Sequence, residues 1–125
     1  MPKLIIVDDS RTIRKLLKKI IEGSDFEVVG EGSDGNEAIA LFKELGPDLV
    51  LSDLTMPNKS GQDAMKEILD YDPNARVIII SSLSDKNIID NCLKLGAKGY
   101  IEKPPVVETD EEREAFFTQL RSAIS

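Results

Sequence analysis

The chain has 125 residues, and 16 basic against 23 acidic side chains give it a net charge of −7, with no histidine. This length predicts a single domain spanning residues 1–125, and the acidic balance argues against nucleic-acid or membrane binding, which needs a basic face. The absence of histidine excludes Ser-His-Asp catalysis and His-ligated zinc. The single cysteine, Cys92, and an N-terminal apolar run too short for a signal peptide or membrane span favour a cytoplasmic protein.

Short apolar runs alternate with amphipathic segments along the chain. The apolar runs are rich in Val and Ile, which is typical of parallel strands buried on both faces. They are Leu4–Val7, Phe26–Val29, Leu49–Leu51, Val77–Ile80 and Tyr100–Ile101. Each is followed by apolar residues at helical spacing, namely Ile13, Leu16, Leu17, Ile20 and Ile21; Ala38, Leu41, Phe42 and Leu45; Met65, Ile68 and Leu69; Ile88, Ile89, Cys92 and Leu93; and Phe116, Leu120 and Ile124. This order predicts a doubly wound (βα)5 sandwich around a central five-stranded parallel sheet.

Helix boundaries have signals of their own. Asp34 with Glu37, and Thr109 with Glu112, have the spacing of capping boxes. Glycines at positions 23, 46 and 96 stand where helices are expected to end. Because Cys92 lies on the fourth apolar stripe, we expect a buried core thiol and not a reactive one.

Polar side chains follow four of the predicted strands, at the edge where an open α/β sheet binds ligands. They are Asp8 and Asp9 after the first strand, Asp53 after the third, Ser81 and Ser82 after the fourth, and Lys103 after the fifth. Each alone has an ordinary structural explanation, such as a helix cap at Asp9 or Ser10. Together, on one edge of one sheet, they predict a site.

Three carboxylates at one edge repel each other, by up to about 4 kcal/mol per pair at an effective dielectric constant near 20. Such a cluster either raises a pKa or holds a hard cation, and ligands that are all oxygen favour Mg²⁺ over zinc or copper. A carboxylate beside Mg²⁺ and an ammonium group is placed to attack a phosphoryl group and form an aspartyl phosphate. The residues therefore predict magnesium-assisted phosphoryl transfer.

At these residues the chain resembles the receiver domains of two-component response regulators, and most of all the stand-alone chemotaxis regulators. The matching motifs are VDDS at 7–10, DGNEA at 34–38, LSDLTMP at 51–57, Gly61, IIIISS at 78–82 and GAKGYIEKP at 96–104. The resemblance implies a flavodoxin-like sheet of strand order 2-1-3-4-5. It also implies a phosphoryl group received from a histidine kinase or a histidine phosphotransfer protein. Because Leu83 cannot orient a hydrolytic water, we expect slow self-dephosphorylation.

The resemblance also implies roles for individual residues. Asp53 matches the phosphoacceptor, and Asp9, Asp8 and the backbone carbonyl of Thr55 match the Mg²⁺ ligands, with Asp8 acting through water. Lys103 matches the phosphate-binding lysine, and its bond to Pro104 is expected to be cis. Ser81 and Tyr100 match the switch residues that change the surface of the fourth helix, fifth strand and fifth helix.

Some features depart from the family and leave the downstream target open between a motor, a phosphorelay and other proteins. Pro105 and the long acidic stretch Val106–Glu114 border the expected output surface, and Leu83 is apolar where some relatives carry a residue that orients the hydrolytic water. One alternative is a receiver-like scaffold that binds partners without phosphorylation. Another is a dinucleotide-binding fragment, because Gly30–Gly35 matches G-x-G-x-x-G, although the chain is short for that fold.

Overall fold

The computed structural model describes all 125 residues as five strands alternating with five helices. The strands are β1 (Lys3–Val7), β2 (Glu27–Gly32), β3 (Leu49–Ser52), β4 (Val77–Ser81) and β5 (Gly99–Glu102). The helices are α1 (Arg11–Ile21), α2 (Gly35–Leu45), α3 (Gly61–Tyr71), α4 (Lys86–Leu95) and α5 (Asp110–Ile124). Every predicted strand and helix is present, and the largest boundary difference is at β2, which ends at Gly32 and not at Val29.

The five strands form one parallel sheet in the order β2-β1-β3-β4-β5, which confirms the doubly wound, flavodoxin-like prediction. In this order β1 is flanked by β2 and β3, and Val7 pairs with Ser52 at the last step of the β1–β3 ladder. The residues that follow these two strands therefore leave the sheet at the same level.

No membrane-spanning segment is found among the helices, because each is too short or too polar to cross a bilayer.

Alternate residues of each strand face two separate cores. In β1, Leu4 and Ile6 pack with residues of α1 and α5, whereas Ile5 and Val7 pack with residues of α2, α3 and α4. Strands covered on both faces have to be continuously apolar, which explains their Val- and Ile-rich runs. Two stripe residues expected in these cores are exposed: Leu16 by 38% and Leu93 by 44%. The assignment of these two residues to the core was wrong, because the helical stripe is wider than the surface that the sheet covers.

One of the two predicted capping boxes forms completely. Thr109 accepts a hydrogen bond from the Glu112 amide, and the Glu112 carboxylate accepts one from the Thr109 amide. At α2 only half of the box is present, because Asp34 caps the Glu37 amide while the Glu37 carboxylate binds the amide of Ser33.

Helices end at glycine in the predicted manner at two positions of three. Gly46 and Gly96 have φ values of 55° and 119°, the left-handed conformation that ends a helix and favours glycine. Gly23 lies beyond Glu22, which caps α1 in a right-handed conformation.

The first two glycines of the pattern at residues 30–35 lie inside the sheet, and the third, Gly35, is the first residue of α2. Gly30 and Gly32 pair with Ile5 and Val7 in the β1–β2 ladder. A Cβ at Gly30 would lie 3.0 Å from the side chain of Leu45, so close packing of α2 on β2 explains the missing side chain. A dinucleotide fingerprint needs these glycines in the turn after the strand, so the structure removes the basis of that alternative.

Candidate functional site

Parallel pairing of β1 and β3 brings Asp8 and Asp53 to the same edge of the sheet. The amide of Asp53 donates to the carbonyl of Val7 over 2.8 Å, and the amide of Asp8 donates to the carbonyl of Gly32 over 3.0 Å. These backbone bonds extend the ladders by one residue. Both carboxylates are therefore held by the sheet itself, and not by a free loop.

Asp8, Asp9 and Asp53 form a cluster in which one carboxylate oxygen from each residue lies within 4.8 Å of the others. Asp8 is fully buried and Asp53 is 4% exposed, whereas Asp9 is open to solvent. The structure thus brings together the three carboxylates that the sequence placed at this edge. Asp9 does not cap α1; that role belongs to Ser10, which accepts a hydrogen bond from the amide of Ile13.

Lys103 reaches into this cluster from the end of β5. Its ammonium Nζ lies 2.8 Å from Asp8 Oδ2 and 3.0 Å from Asp53 Oδ2, and its side chain is only 13% exposed. It is therefore not an ordinary surface lysine. The Lys103–Pro104 peptide bond is cis, as the resemblance implied.

The site is electrostatically crowded. Burial raises the pKa of the Asp53 carboxyl above its ordinary value of 3.8; Lys103 opposes this shift and the negative charge of Asp8 adds to it. Burial lowers the pKa of the Lys103 ammonium, but its bonds to Asp8 and Asp53 outweigh burial and leave that pKa raised. Lys103 therefore keeps its positive charge, whereas the negative charge of the Asp53 carboxylate is only partly neutralised by its surroundings.

The donor set fits Mg²⁺. All of the clustered ligand atoms are carboxylate oxygens, and the chain offers neither histidine nor a second cysteine that would favour a softer metal. Asp9 opens the cluster to solvent, which leaves room for the water molecules that Mg²⁺ retains. Thr55, whose carbonyl is the further expected ligand, is exposed in the loop that follows Asp53.

Arg14 is a contributor that the sequence reasoning missed. Its guanidinium donates to the backbone carbonyl of Asp8 through Nη1 and pairs with Glu31 over 3.3 Å through Nε. The guanidinium therefore connects α1, the loop after β1 and the end of β2. No local pattern shows this contact, because it depends on where β2 pairs with β1.

Ser81 is the last residue of β4, and Tyr100 is the second residue of β5. Ser81 is buried, and its hydroxyl accepts a hydrogen bond from the Leu83 amide over 3.2 Å. The hydroxyl of the half-buried Tyr100 donates to the carbonyl of Leu83. The two predicted switch residues thus contact the same neighbour.

Cys92 is 1% exposed, and burial raises the pKa of its thiol, as expected of a core cysteine.

The chain belongs to the response regulator receiver domain family, whose model matches residues 4–112. Within that family it is the receiver domain of a CheY-like response regulator. The chemotaxis protein CheY of Thermotoga maritima is 44% identical over 102 residues, which cover 82% of this chain and 85% of the relative. CheY of Listeria monocytogenes is 42% identical over 104 residues, covering 83% and 87% of the two chains.

Solved structures agree with this assignment. The crystal structure of a CheX–CheY–BeF₃–Mg²⁺ complex from Borrelia burgdorferi matches with a TM-score of 0.88 and 33% identity, covering 98% of this chain and 89% of the other. The response regulator domain of Thermotoga maritima CheB matches with a TM-score of 0.87 and 35% identity, covering 99% and 96%. Both similarities extend over almost the whole fold.

Proposed function

We propose that this chain is a phosphorylation-dependent switch that takes a phosphoryl group onto Asp53 from a histidine kinase or a histidine phosphotransfer protein. The observation that carries the proposal is the contact of Lys103 with both Asp8 and Asp53 inside a cluster of three carboxylates. A structural lysine needs one counter-ion. Two carboxylates and a third beside them suit a site that receives a cation and an anionic group together.

The chemistry follows from the charges of these residues. An Asp53 carboxylate oxygen attacks phosphorus, the new O–P bond forms, and the P–N bond to the donor histidine breaks, so that the freed imidazole takes a proton from solvent. Asp8, Asp9, Asp53 and the Thr55 carbonyl would hold Mg²⁺, which neutralises charge on the transferred group. Lys103 faces the incoming phosphoryl oxygens and supplies a fixed positive charge.

Ser81 and Tyr100 provide the route from this site to the surface. In the proposal, the Ser81 hydroxyl gives up the hydrogen bond that it accepts from the Leu83 amide and donates one to a phosphoryl oxygen. The backbone around Leu83 and the Tyr100 side chain shift with it. To reverse a two-state population from 1:99 to 99:1 takes about 5.5 kcal/mol of differential interaction. The contacts of a phosphoryl group with Lys103 and Ser81 contribute to that difference.

A partner then recognises the face formed by α4, β5 and α5. Leu93 on α4 and Val106 after β5 are 44% and 63% exposed, and Leu83 is 40% exposed at the start of the loop before α4. Exposed apolar side chains with polar residues around them are typical of a protein-binding site. The CheY relatives from Thermotoga maritima and Listeria monocytogenes are chemotaxis proteins, so a chemotaxis target is the leading candidate for this partner.

The test is phosphorylation of the purified chain by phosphoramidate, a small donor with a P–N bond, followed by intact mass measurement. We expect a Mg²⁺-dependent gain of one phosphoryl group that is lost in Asp53→Asn. Asp48→Asn is the matched control, because Asp48 is an exposed aspartate that precedes β3 and lies at the opposite edge of the sheet. Labelling that persists in Asp53→Asn would refute the acceptor assignment. Labelling that is unaffected by chelation would refute the Mg²⁺ requirement, and no labelling at all would favour the scaffold alternative.

A further inference from the structure

The loop that joins β3 to α3 (residues 53–60) is held partly by its own hydrogen bonds and partly by residues at the start of α2. Two internal backbone bonds order it, from Lys59 to the Pro57 carbonyl over 2.7 Å and from Gly61 to the Leu54 carbonyl over 2.8 Å. Thr55 lies in the exposed part of the loop. Contacts from the start of α2 supply the remaining anchors.

The first of these contacts joins Asp34 to Asn58. Asp34 is 8% exposed, and its two carboxylate oxygens have different partners: Oδ1 accepts from the Glu37 amide and Oδ2 accepts from Asn58 Nδ2, both over 2.8 Å. Asn58 has a φ of 67°, a left-handed conformation that is uncommon outside glycine. Helix capping accounts for Oδ1 alone, so the bond to Asn58 needs another explanation.

The second contact is made by Gly35. Its amide donates to the Lys59 carbonyl over 2.9 Å. A Cβ at this position would lie 2.6 Å from the Lys59 carbonyl oxygen and 2.8 Å from that of Ser60, so only glycine lets the loop come this close. Asp34 and Gly35 thus hold two consecutive loop residues, Asn58 and Lys59, through hydrogen bonds.

We propose that Asp34 and Gly35 are positioning residues that hold the β3–α3 loop so that the Thr55 carbonyl is presented to the cation at the carboxylate cluster. The Mg²⁺ part rests on the proposed function, because that function makes Thr55 a ligand. The anchoring itself rests only on the contacts of Asp34 and Gly35. This role accounts for the Asp-Gly pair that opens α2, which the phosphoryl chemistry leaves unused.

The test compares Mg²⁺ dissociation constants, measured by thermal-shift titration, for two variants that each remove the Asp34–Asn58 bond from a different side. Asn58→Gly tolerates the left-handed conformation but lacks the amide, and Asp34→Ser keeps a good helix cap but cannot reach Asn58. We expect each to weaken Mg²⁺ binding about 10-fold, the lower end of what losing the support of a metal ligand costs. The double variant should be no weaker than either single variant, because both remove the same bond.

Gly46→Ala is the matched control. It strains the other end of the same helix, where φ is 55°, and does not touch the loop. We expect its Mg²⁺ affinity to stay at the wild-type value. Unchanged affinity in both Asn58→Gly and Asp34→Ser, or an equal loss in Gly46→Ala, would overturn the proposed effect on the cation.

A second measurement needs no metal and separates this inference from the proposed function. In metal-free protein, hydrogen exchange at the Gly35 and Gly61 amides reports directly on the loop anchors. We expect faster exchange at both amides in Asn58→Gly than in Gly46→Ala. If the wild type binds no Mg²⁺, the proposed function fails while this exchange still tests the anchoring. Exchange equal to that of Gly46→Ala would overturn the anchoring.

Discussion

Gly61 shows how closely single residues are constrained near Asp53. A Cβ at this position would overlap the backbone carbonyl oxygen of Asp53 and lie 3.1 Å from the Leu54 Cα. Neither of these backbone atoms can move without displacing the Asp53 side chain or the bond from the Gly61 amide to the Leu54 carbonyl. Close packing against the backbone of Asp53 and Leu54 therefore explains why position 61 carries glycine.

We expect Gly61→Ala to lower the free energy of unfolding by about 2 kcal/mol, within the usual range for overpacking, and to slow phosphorylation of Asp53. Urea denaturation and the phosphoramidate assay measure the two effects. Gly99→Ala is the comparison, because a Cβ there would meet only the Ile78 side chain at 3.7 Å. Equal stability of Gly61→Ala and wild type would show that the backbone yields without cost.

Among the elements, α4 is the least anchored helix. It buries only Cys92, whereas α3, of similar length, buries Gly61, Ala64, Met65 and Ile68. Both ends of α4 are capped: Asp85 accepts hydrogen bonds from the amides of Asn87 and Ile88, and Gly96 ends the helix in the left-handed conformation. Local capping therefore defines α4, while tertiary packing contributes less to it than to its neighbours. Such an element is suited to respond to a change at the adjoining site.

Hydrogen exchange checks this directly. We expect amides in the middle of α4 to exchange at least about 10-fold faster than those in the middle of α3 under native conditions, since few buried contacts oppose local opening. α3 is the internal control because it lies in the same core. Equal protection of the two helices would contradict the idea that α4 opens independently.

At the scale of the whole molecule, burial of the Asp53 carboxylate, with the negative charge of Asp8 beside it, reduces stability. Because the pKa of Asp53 is raised in the folded state above its ordinary value of 3.8, the unfolded chain loses this proton first as pH increases. Stability is therefore lost between pH 3.8 and the raised pKa, and the loss is complete above it. The lowered pKa of Asp34, caused mainly by its bond to Asn58, acts in the opposite direction, because that stabilisation is lost as pH falls.

Asp53→Asn isolates the first effect. We expect its Tm in metal-free buffer to exceed that of wild type by a few degrees at pH 7, with the difference shrinking toward zero as pH falls to about 4. Thermal unfolding across this pH range measures the difference, and Asp90→Asn, at an exposed position on α4, serves as the control for loss of an exposed charge. A difference that does not change with pH would show that packing, and not ionisation, separates Asp53→Asn from wild type.

How much was predictable differs between the fold and the site. Strand and helix order could be predicted because burial on two faces leaves continuous Val and Ile runs such as Val77–Ile80. The clustering of Asp8, Asp9, Asp53 and Lys103 could be predicted, because polar residues that follow such runs fall at the ligand-binding edge of the sheet. Leu16 and Leu93 were misplaced, because helical spacing shows which residues share a face but not how far a neighbouring sheet covers that face.

By itself, the sequence determined the succession of elements and the chemical type of the site, since residue type and short-range spacing carry both. Only the tertiary structure decided which groups touch. Lys103 meets Asp8 across 95 positions of sequence, and Asn58 meets Asp34 across 24. Such contacts arise from strand register and from helix packing on the sheet. Each depends on the whole set of non-local pairings, and no local pattern in the chain records that set.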